Sequence, residues 1–330
     1  MTHPNPFQPS VGLRWFSKFV SASTLILIFA GGLVTSTGSG LSVPDWPLSY
    51  GTLFPPMVGG IRFEHTHRMI AGGIGMLMLI LAIWLGIVEK RRWVKLLGFF
   101  ALGAVICQAI LGGITVLFML PKPISITHAI LAQTFFVLTV IIAYSQSADR
   151  QQREKNIGSE KYIPIFAKLC ATVSGLVYIQ LILGALMRHT ASGLAIPDFP
   201  RMGGTFIPQF NAQMLSTINT WRFAHNLDPV AMTQVVIHFA HRMGACVVTI
   251  AIVILAYQAK IIYHGNIKMT RLSWYLVAAL LVQLTLGALT VLTGKAALIT
   301  SLHVVVGAAT LALSILLTLQ SYPLSLSKNL

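Results

Sequence analysis

Long apolar segments alternate with short polar ones along the whole chain, and this alternation predicts membrane-spanning helices. A helix needs about 20 apolar residues to cross a hydrocarbon core. Segments of that length lie near residues 17–37, 66–88, 97–119, 124–146, 163–187, 233–258, 272–294 and 299–321. Residues 19–34 also resemble the core of a signal peptide. The segment that follows them is repeated later in the chain, directly after an internal apolar helix, so we assign residues 19–34 to the first transmembrane helix. The pattern predicts an all-α integral membrane protein with eight transmembrane helices.

The composition agrees with a membrane location. Of the 330 residues, 55% are hydrophobic and 9% are charged, whereas roughly 25% of the residues in a soluble domain are charged. The net charge of +15 raises the possibility of a nucleic-acid partner. The positions of the basic residues favour the lipid bilayer instead, and we expect no nucleic acid.

Basic residues are unequally divided between the two sides of the predicted membrane. With the N-terminus in the cytoplasm, 15 of the 23 fall inside: Arg14, Lys18, Lys90, Arg91, Arg92, Lys95, Arg150, Arg153, Lys155, Lys161, Lys168, Lys260, Lys268, Arg271 and Lys328. The other eight fall outside: Arg62, Arg68, Lys122, Arg188, Arg201, Arg222, Arg242 and Lys295. The positive-inside rule therefore predicts that both termini are cytoplasmic.

An internal repeat divides the chain into two halves. GGLVTSTGSGLSVPDWP at 31–47 matches GALMRHTASGLAIPDFP at 184–200, EHTHRM at 64–69 matches HFAHRM at 238–243, and QAILGGITVL at 108–117 matches QLTLGALTVL at 283–292. Four helices per repeat is an even number, so both halves cross the membrane in the same sense. We expect two parallel four-helix bundles related by a pseudo-twofold axis along the membrane normal.

The repeat also sets the predicted domains. Residues 1–146 form the N-terminal repeat, 147–162 a polar cytoplasmic linker, and 163–330 the C-terminal repeat. The second repeat holds 21 additional residues between Pro200 and His238. The second outer loop is therefore expected to be the longer one.

Four of the ten histidines are matched between the repeats. His67 and His241 lie near the outer end of the second helix of each repeat, and His128 and His303 near the outer start of the fourth. The members of each pair are expected at one depth, facing across a bundle interior. Two imidazoles in a bundle core suit the axial ligation of haem iron, whereas zinc prefers three or four protein ligands. The alternative is that each histidine is a hydrogen-bonded packing residue.

Charged neighbours accompany these histidines. Glu64 shares a helix face with His67, and the second repeat has His238 at its position, so we expect Glu64 to move protons; the alternative is a helix N-terminal residue that favours the dipole. Arg68 and Arg242 are candidates for pairing with haem propionates, or they anchor the helices at the interface. Interfacial or supporting roles are expected for His65 and His238.

The remaining candidates are weaker. The PDWP and PDFP segments are expected to form ordered loops over the outer ends of the helices, with Trp46 and Phe199 in the aromatic belt. Cys107, Cys170 and Cys246 have no disulfide or metal spacing and are expected to be small buried hydrophobic residues.

The doubled SGL-x-x-PD-aromatic-P segment, the E-x-x-HR at Glu64 to Arg68, and the four matched histidines resemble the haem A synthase family over most of the chain. The resemblance implies an eight-helix enzyme of a bacterial-type cytoplasmic (inner) membrane. Such an enzyme oxidises the C8 methyl group of haem O to the formyl group of haem A, for use by terminal oxidases.

The same resemblance implies residue roles. His67 and His128 would hold the substrate haem O, His241 and His303 would hold a haem b cofactor, and Glu64 would be the catalytic carboxylate. Some family members carry a cysteine pair in the outer loops, which this sequence lacks, so no redox step of that pair is carried over.

Two other classes of function fit part of the pattern. A bis-histidine dihaem cytochrome that only transfers electrons explains the histidines but leaves Glu64 without a role. A parallel-repeat transporter explains the repeat but not the histidines. The electron acceptor, the oxygen source, the oligomeric state and a direct transfer of substrate from a haem O synthase are left open by the sequence.

Overall fold

The computed structural model describes residues 9–155 and 162–322. Its helices are α1 Val11–Ser36, α2 Ile61–Val88, α3 Arg92–Leu117, α4 Lys122–Ser145, α5 Ala148–Lys155, α6 Pro164–His189, α7 Ala212–Ala224, α8 Met232–Ile262, α9 Ile267–Leu292 and α10 Ala297–Ser321. All except α5 and α7 are long and apolar enough to cross a membrane. The prediction of eight membrane-spanning helices in an all-α protein is confirmed within the described ranges.

Local sequence explains where several helices begin. The Ser10 hydroxyl accepts a hydrogen bond from the backbone N–H of Leu13 at 3.2 Å at the start of α1, and the Asn266 side chain does the same for Met269 at 3.3 Å at the start of α9. These caps satisfy N–H groups that have no partner within the helix. A proline stands in the first turn of α4 and α6, where its missing N–H has no cost.

The spanning helices pack in two groups of four. In the first group α1 contacts α2 and α4, and α3 contacts α2 and α4; in the second group α6 contacts α8 and α10, and α9 contacts α8 and α10. Between the groups, α10 contacts α1 and α4, and α4 also contacts α6. The two fourth helices, α4 and α10, therefore lie at the centre of the molecule.

Each group of four helices encloses its own apolar core. Leu81 and Phe135 are buried in the first core, and Val173 and Leu276 in the second. Large apolar side chains also cover the outer surface of the helices, such as Phe100, which is 68% exposed. An apolar exterior of this kind is stable in contact with lipid, so it agrees with a multi-pass membrane protein.

The polar segment predicted as a linker is partly helical. The Ser147 hydroxyl accepts a hydrogen bond from the Arg150 N–H at 3.1 Å at the start of α5, and Arg150 pairs with Glu154 one turn later at 2.9 Å. Arg153 then donates to the backbone carbonyl of Leu319 in α10 at 2.9 Å. Helix α5 is thus held by charged contacts, which apolar periodicity could not reveal.

The longer second outer loop contains α7, a helix that the sequence analysis did not predict. The Asn211 side chain caps it by accepting from the Met214 N–H at 2.8 Å. Met202, Ile218 and Val230 pack together beneath it with the start of α8. The additional residues of the second repeat therefore form a small packed unit of their own.

Candidate functional site

The structure places the four repeat-matched histidines on the predicted helices. His67 lies on α2 and His128 on α4, within the first group of four helices, while His241 lies on α8 and His303 on α10, within the second. The ring centroids of His241 and His303 are 6.4 Å apart, with an interplanar angle of 74°. In the second group, the expected facing pair of imidazoles is therefore present.

Each of these imidazole rings lies against a glycine of a neighbouring helix. A Cβ atom at Gly31 would lie 3.1 Å from Cε1 of His67, and one at Gly112 would lie 3.4 Å from Cε1 of His128. In the second group, the same distances are 3.2 Å from Gly184 to His241 and 3.0 Å from Gly287 to His303. A side chain at Gly31, Gly184 or Gly287 would crowd the ring, so these glycines let the Cε1 edge of each imidazole approach the helix backbone.

None of these four glycines was assigned to a histidine from the sequence. The signal was present, since Gly31 matches Gly184 and Gly112 matches Gly287 in the internal repeat. What could not be read from the sequence is that each glycine faces a histidine of the next helix. That depends on helix rotation, which the repeat alone does not specify.

Glutamine side chains contact the histidines. Nε2 of Gln180 lies 3.2 Å from Nδ1 of His241 and donates to the His241 carbonyl at 2.8 Å. Nδ1 of His303 lies 3.2 Å from the backbone carbonyl of Gln283. Because a carbonyl can only accept, His303 carries its proton on Nδ1. Its Nε2 lies 3.4 Å from Nε2 of the Gln283 side chain.

Nδ1 of His67 has a different environment. This atom is buried, and none of the described residues offers it a hydrogen bond. At the position that matches Gln180, the first repeat has Leu27, an apolar residue packed against the core. The two halves therefore share the glycine support but differ in what holds the imidazole.

Glu64 and Arg68 fasten the first outer loop to α2. Glu64 is 3% exposed. Its Oε2 accepts the backbone N–H of Val43 at 2.9 Å, and its Oε1 accepts from Arg68 at 2.6 Å. Arg68 also donates to the backbone carbonyls of Val43, Asp45 and Leu48. The carboxylate thus has a structural contact that the sequence analysis did not foresee.

His238 and Arg242 fasten the second outer loop in the same way. Nδ1 of His238 accepts the backbone N–H of Ile196 at 3.1 Å, the residue that matches Val43 in the repeat. Arg242 donates to the carbonyls of Ile196, Asp198 and Arg201, the matches of the three carbonyls bound by Arg68. The position of Glu64 is therefore a loop anchor in both halves, occupied by a carboxylate in one and an imidazole in the other.

A tight turn completes each loop. The carboxyl oxygens of Asp45 accept the backbone N–H groups of Tyr50 and Gly51, each at 2.7 Å, and Asp198 binds Gly203 and Gly204 likewise at 2.8 Å. The hydrogen bonds from Gly51 and then Tyr50 lower the pKa of the Asp45 carboxyl. The PDWP and PDFP segments are therefore ordered loops.

The first loop rests on the helices beneath it. The Trp46 ring lies so close to Gly113 of α3 that a Cβ atom there would be 2.8 Å from the ring. Trp46 and Phe199 are 40% and 46% exposed, so one part of each ring remains available to lipid or ligand. This arrangement covers the end of the helix group that carries His67 and His128.

His65 and the three cysteines do not belong to the matched pairs. His65 is buried, with Nδ1 2.9 Å from the Ser49 hydroxyl, and thus helps to hold the first loop. The three cysteines are free; Cys170 is buried, whereas Cys107 and Cys246 are exposed on their helices. The expectation that all three are buried is wrong for those two, because their faces of α3 and α8 point outward.

Within residues 9–155 and 162–322, no group of three or more histidine, cysteine or acidic side chains is arranged to hold a metal ion. The two histidine pairs remain the candidates for metal ligation in this part of the chain. A pair is sufficient for a metal that brings other ligands with it, as haem iron does. Fold and site together define a class: a multi-pass membrane protein with an imidazole pair in each of two helix groups.

Comparisons with known proteins specify the family. The chain belongs to the COX15-CtaA family, described as cytochrome oxidase assembly protein, whose model matches residues 61–315. It is similar to the "Heme A synthase" of Lysinibacillus sphaericus, with 27% identity over 297 residues, covering 84% of this chain and 88% of that protein.

Two other relatives are similar over comparable lengths. The "Heme A synthase" of Geobacillus kaustophilus is 29% identical over 308 residues, covering 85% of this chain and 82% of that protein. The "Heme A synthase" of Rickettsia bellii is 27% identical over 316 residues, covering 84% and 88%. The resemblance drawn from the sequence motifs is confirmed.

Proposed function

We propose that this chain is a haem A synthase, which oxidises the C8 methyl group of haem O to the formyl group of haem A for terminal oxidases. The observation that carries the proposal is the set of four imidazoles, each lying against a repeat-matched glycine. Membership of the family and relatives named "Heme A synthase" support the choice of reaction.

The second helix group fits a haem b cofactor. Two imidazoles that each place a nitrogen about 2 Å from one metal ion have ring centres about 6 Å apart. The separation of 6.4 Å between the His241 and His303 centroids agrees with that requirement. We propose that these two residues would hold haem b, which when bound would supply a one-electron redox centre.

The first helix group is proposed to bind the substrate, haem O, through His67 and His128. Both rings lie on glycines, as in the second group, so the backbone geometry suits the same type of ligand. Nδ1 of His67 lacks the partner that Gln180 gives to His241. A less restrained ligand suits a substrate that has to enter and leave.

Glu64 is proposed as the group that handles protons in the first site. Oxidation of a methyl to a formyl group releases protons, so a carboxylate one helical turn before His67 is suitably located to take them. In the structure its two oxygens accept from Val43 and Arg68. Each oxygen keeps a further lone pair, so Glu64 can take up a proton while it still accepts from Val43 and Arg68.

Arg68 and Arg242 are proposed to border the haem propionates while they hold the loops. Arg68 is paired with Glu64, whereas Arg242 forms no ion pair among the described residues and contacts the imidazole of His238 at 3.2 Å. The positive charge of Arg242 is therefore not neutralised by a direct ion pair in this part of the chain. A propionate of the resident cofactor is the natural partner of such a charge.

The architecture is proposed to be two parallel repeats about a pseudo-twofold axis along the membrane normal, with the domain limits given by the sequence. The contact of α1 with α10 is matched by that of α6 with α4, which supports such an axis. The basic residues support cytoplasmic termini in a bacterial-type inner membrane. Alkaline phosphatase fused after residue 205 should be active and after residue 155 inactive; the reverse would contradict this topology.

The decisive experiment measures the product. The chain is expressed in cells that make haem O but not haem A, and the pigments of the membranes are extracted and separated by chromatography. We expect a formyl-bearing haem A that is absent from cells with the empty vector. Haem O without any oxidised product, despite bound haem b, would instead favour the electron-transferring dihaem cytochrome.

A further inference from the structure

We infer that Gln180 is a positioning residue for His241, which fixes one haem ligand of the second helix group while the matched Leu27 leaves His67 free to turn. This inference rests on the proposed function, since it assigns a resident haem to one group and an exchanging haem to the other. It adds a pair of matched residues that distinguishes the two sites.

Gln180 lies against both the imidazole and the backbone carbonyl of His241. It stands one helical turn before Gly184, the glycine that the His241 ring lies against. Its Nε2 lies 3.2 Å from Nδ1 of His241 and also donates to the His241 carbonyl, so the amide is held at the ring edge. Its Oε1 is buried and has no hydrogen-bond partner among the described residues.

Ligation requires a particular proton arrangement. An imidazole that binds iron through Nε2 carries its proton on Nδ1, and that proton needs an acceptor. In this structure Nε2 of Gln180 can only donate, so Nδ1 of His241 accepts. When Nδ1 carries the proton, Oε1 can serve as its acceptor if the amide turns and gives up the hydrogen bond of Nε2 to the His241 carbonyl. The buried Oε1 without a partner is the acceptor that the ligated ring needs.

The other ligand of the same site is already fixed. Nδ1 of His303 lies 3.2 Å from the Gln283 carbonyl, and Gly287 allows the ring to reach this backbone atom. With Gln180, both ligands of the second site have a partner on Nδ1. In the first site Leu27 cannot form a hydrogen bond, and Nδ1 of His67 has no partner.

A hydrogen bond from Nδ1–H makes the imidazole a stronger electron donor to iron, which favours the ferric state. Removing the acceptor should therefore raise the midpoint potential of haem b, and a charged acceptor should lower it. A tenfold change in the ratio of the site's affinities for ferric and ferrous haem b shifts the midpoint potential by about 59 mV for a one-electron couple. Loss of such a partner also lowers metal affinity by about 10- to 100-fold in known sites.

The test compares Gln180→Leu with Gln180→Glu in the full chain in detergent. We expect Gln180→Leu to retain less haem b and to raise its midpoint potential, and Gln180→Glu to lower it, each by tens of millivolts as a tenfold effect requires. Potentials that do not move, or that move in one direction in both variants while haem b stays bound, would overturn the inference. A wild-type chain without haem b would instead contradict the proposed function.

The reciprocal variant Leu27→Gln tests the first site without touching the second. We expect it to give His67 a partner and to slow the release of added haem O about tenfold, while the spectrum of haem b is unchanged. Release at the wild-type rate from a correctly folded Leu27→Gln protein would count against the inference. This variant also keeps the test valid if Gln180→Leu fails to fold.

Discussion

The two helix groups present the same backbone frame with different side chains at two matched positions. Both have glycines against their imidazoles and an arginine bound to three loop carbonyls. The first group has Glu64 and Leu27 where the second has His238 and Gln180. The shared frame supports the proposal that both sites hold the same type of ligand, and the exchanged residues support different tasks for the two sites.

The comparison of the two helix groups also changes the interpretation of the role of Glu64. Its lack of a carboxylate counterpart suggested chemistry, yet His238 accepts the same backbone N–H of the loop. Holding the loop is therefore a task of this position in both halves. A role of the carboxylate in the reaction has to be separated from this shared structural role by experiment.

The largest effect is expected from removal of a ligand in the second group. His241→Ala and His303→Ala should each remove most of the low-spin b-type spectrum, because one imidazole cannot hold the iron in a six-coordinate state. His225→Ala, on the exposed turn after α7, is the control and should leave the spectrum intact. A full complement of low-spin haem b in both ligand variants would show that these residues are not the ligands.

The second largest effect is expected on haem A yield, from substitution of Glu64, whose matched residue in the second half is His238. Glu64→Gln removes the charge, and Glu64→His introduces the residue that anchors the second loop. If the carboxylate handles protons, both variants should lower haem A yield by about 100-fold or more, as loss of a general base does, while haem O or a hydroxymethyl intermediate accumulates.

The two variants separate chemistry from loop anchoring. Glu64→His should retain the first loop, as judged by its resistance to proteolysis between residues 37 and 60, and should keep the haem b content of the wild type. Normal haem A yield from Glu64→His would reduce Glu64 to a loop anchor. Pigment chromatography of the membranes provides this measurement.

Sequence reasoning predicted the features that depend on composition and periodicity. The eight spanning helices follow from apolar length, and the histidine pairs follow from the repeat. It did not predict the bond from Val43 to Glu64, because that contact joins a loop to a helix 21 positions later and depends on the loop conformation. Helix α5 was missed because ion pairs rather than apolar residues stabilise it.

The smallest effect on haem b binding is expected from substitution of the glycines that lie against the imidazoles. This substitution tests whether the glycines shared by both halves contribute to haem binding, as the exchanged residues are proposed to do. A Cβ atom at Gly184 would lie 3.2 Å from Cε1 of His241, so Gly184→Ala forces the ring to move by a few tenths of an ångström. Gln180 contacts Nδ1, the ring atom next to Cε1, so a shift of the ring would also disturb this contact. Gly175→Ala in the same helix meets nothing within 4 Å and should be neutral or slightly stabilising, because alanine favours a helix over glycine by about 1 kcal/mol.

We expect Gly184→Ala to lower haem b affinity several-fold and to shift its absorption, and Gly175→Ala to change neither. Haem titration of both purified proteins measures the difference. Equal affinities would mean that the ring does not depend on this glycine, and the frame would then owe its conservation between the halves to helix packing alone.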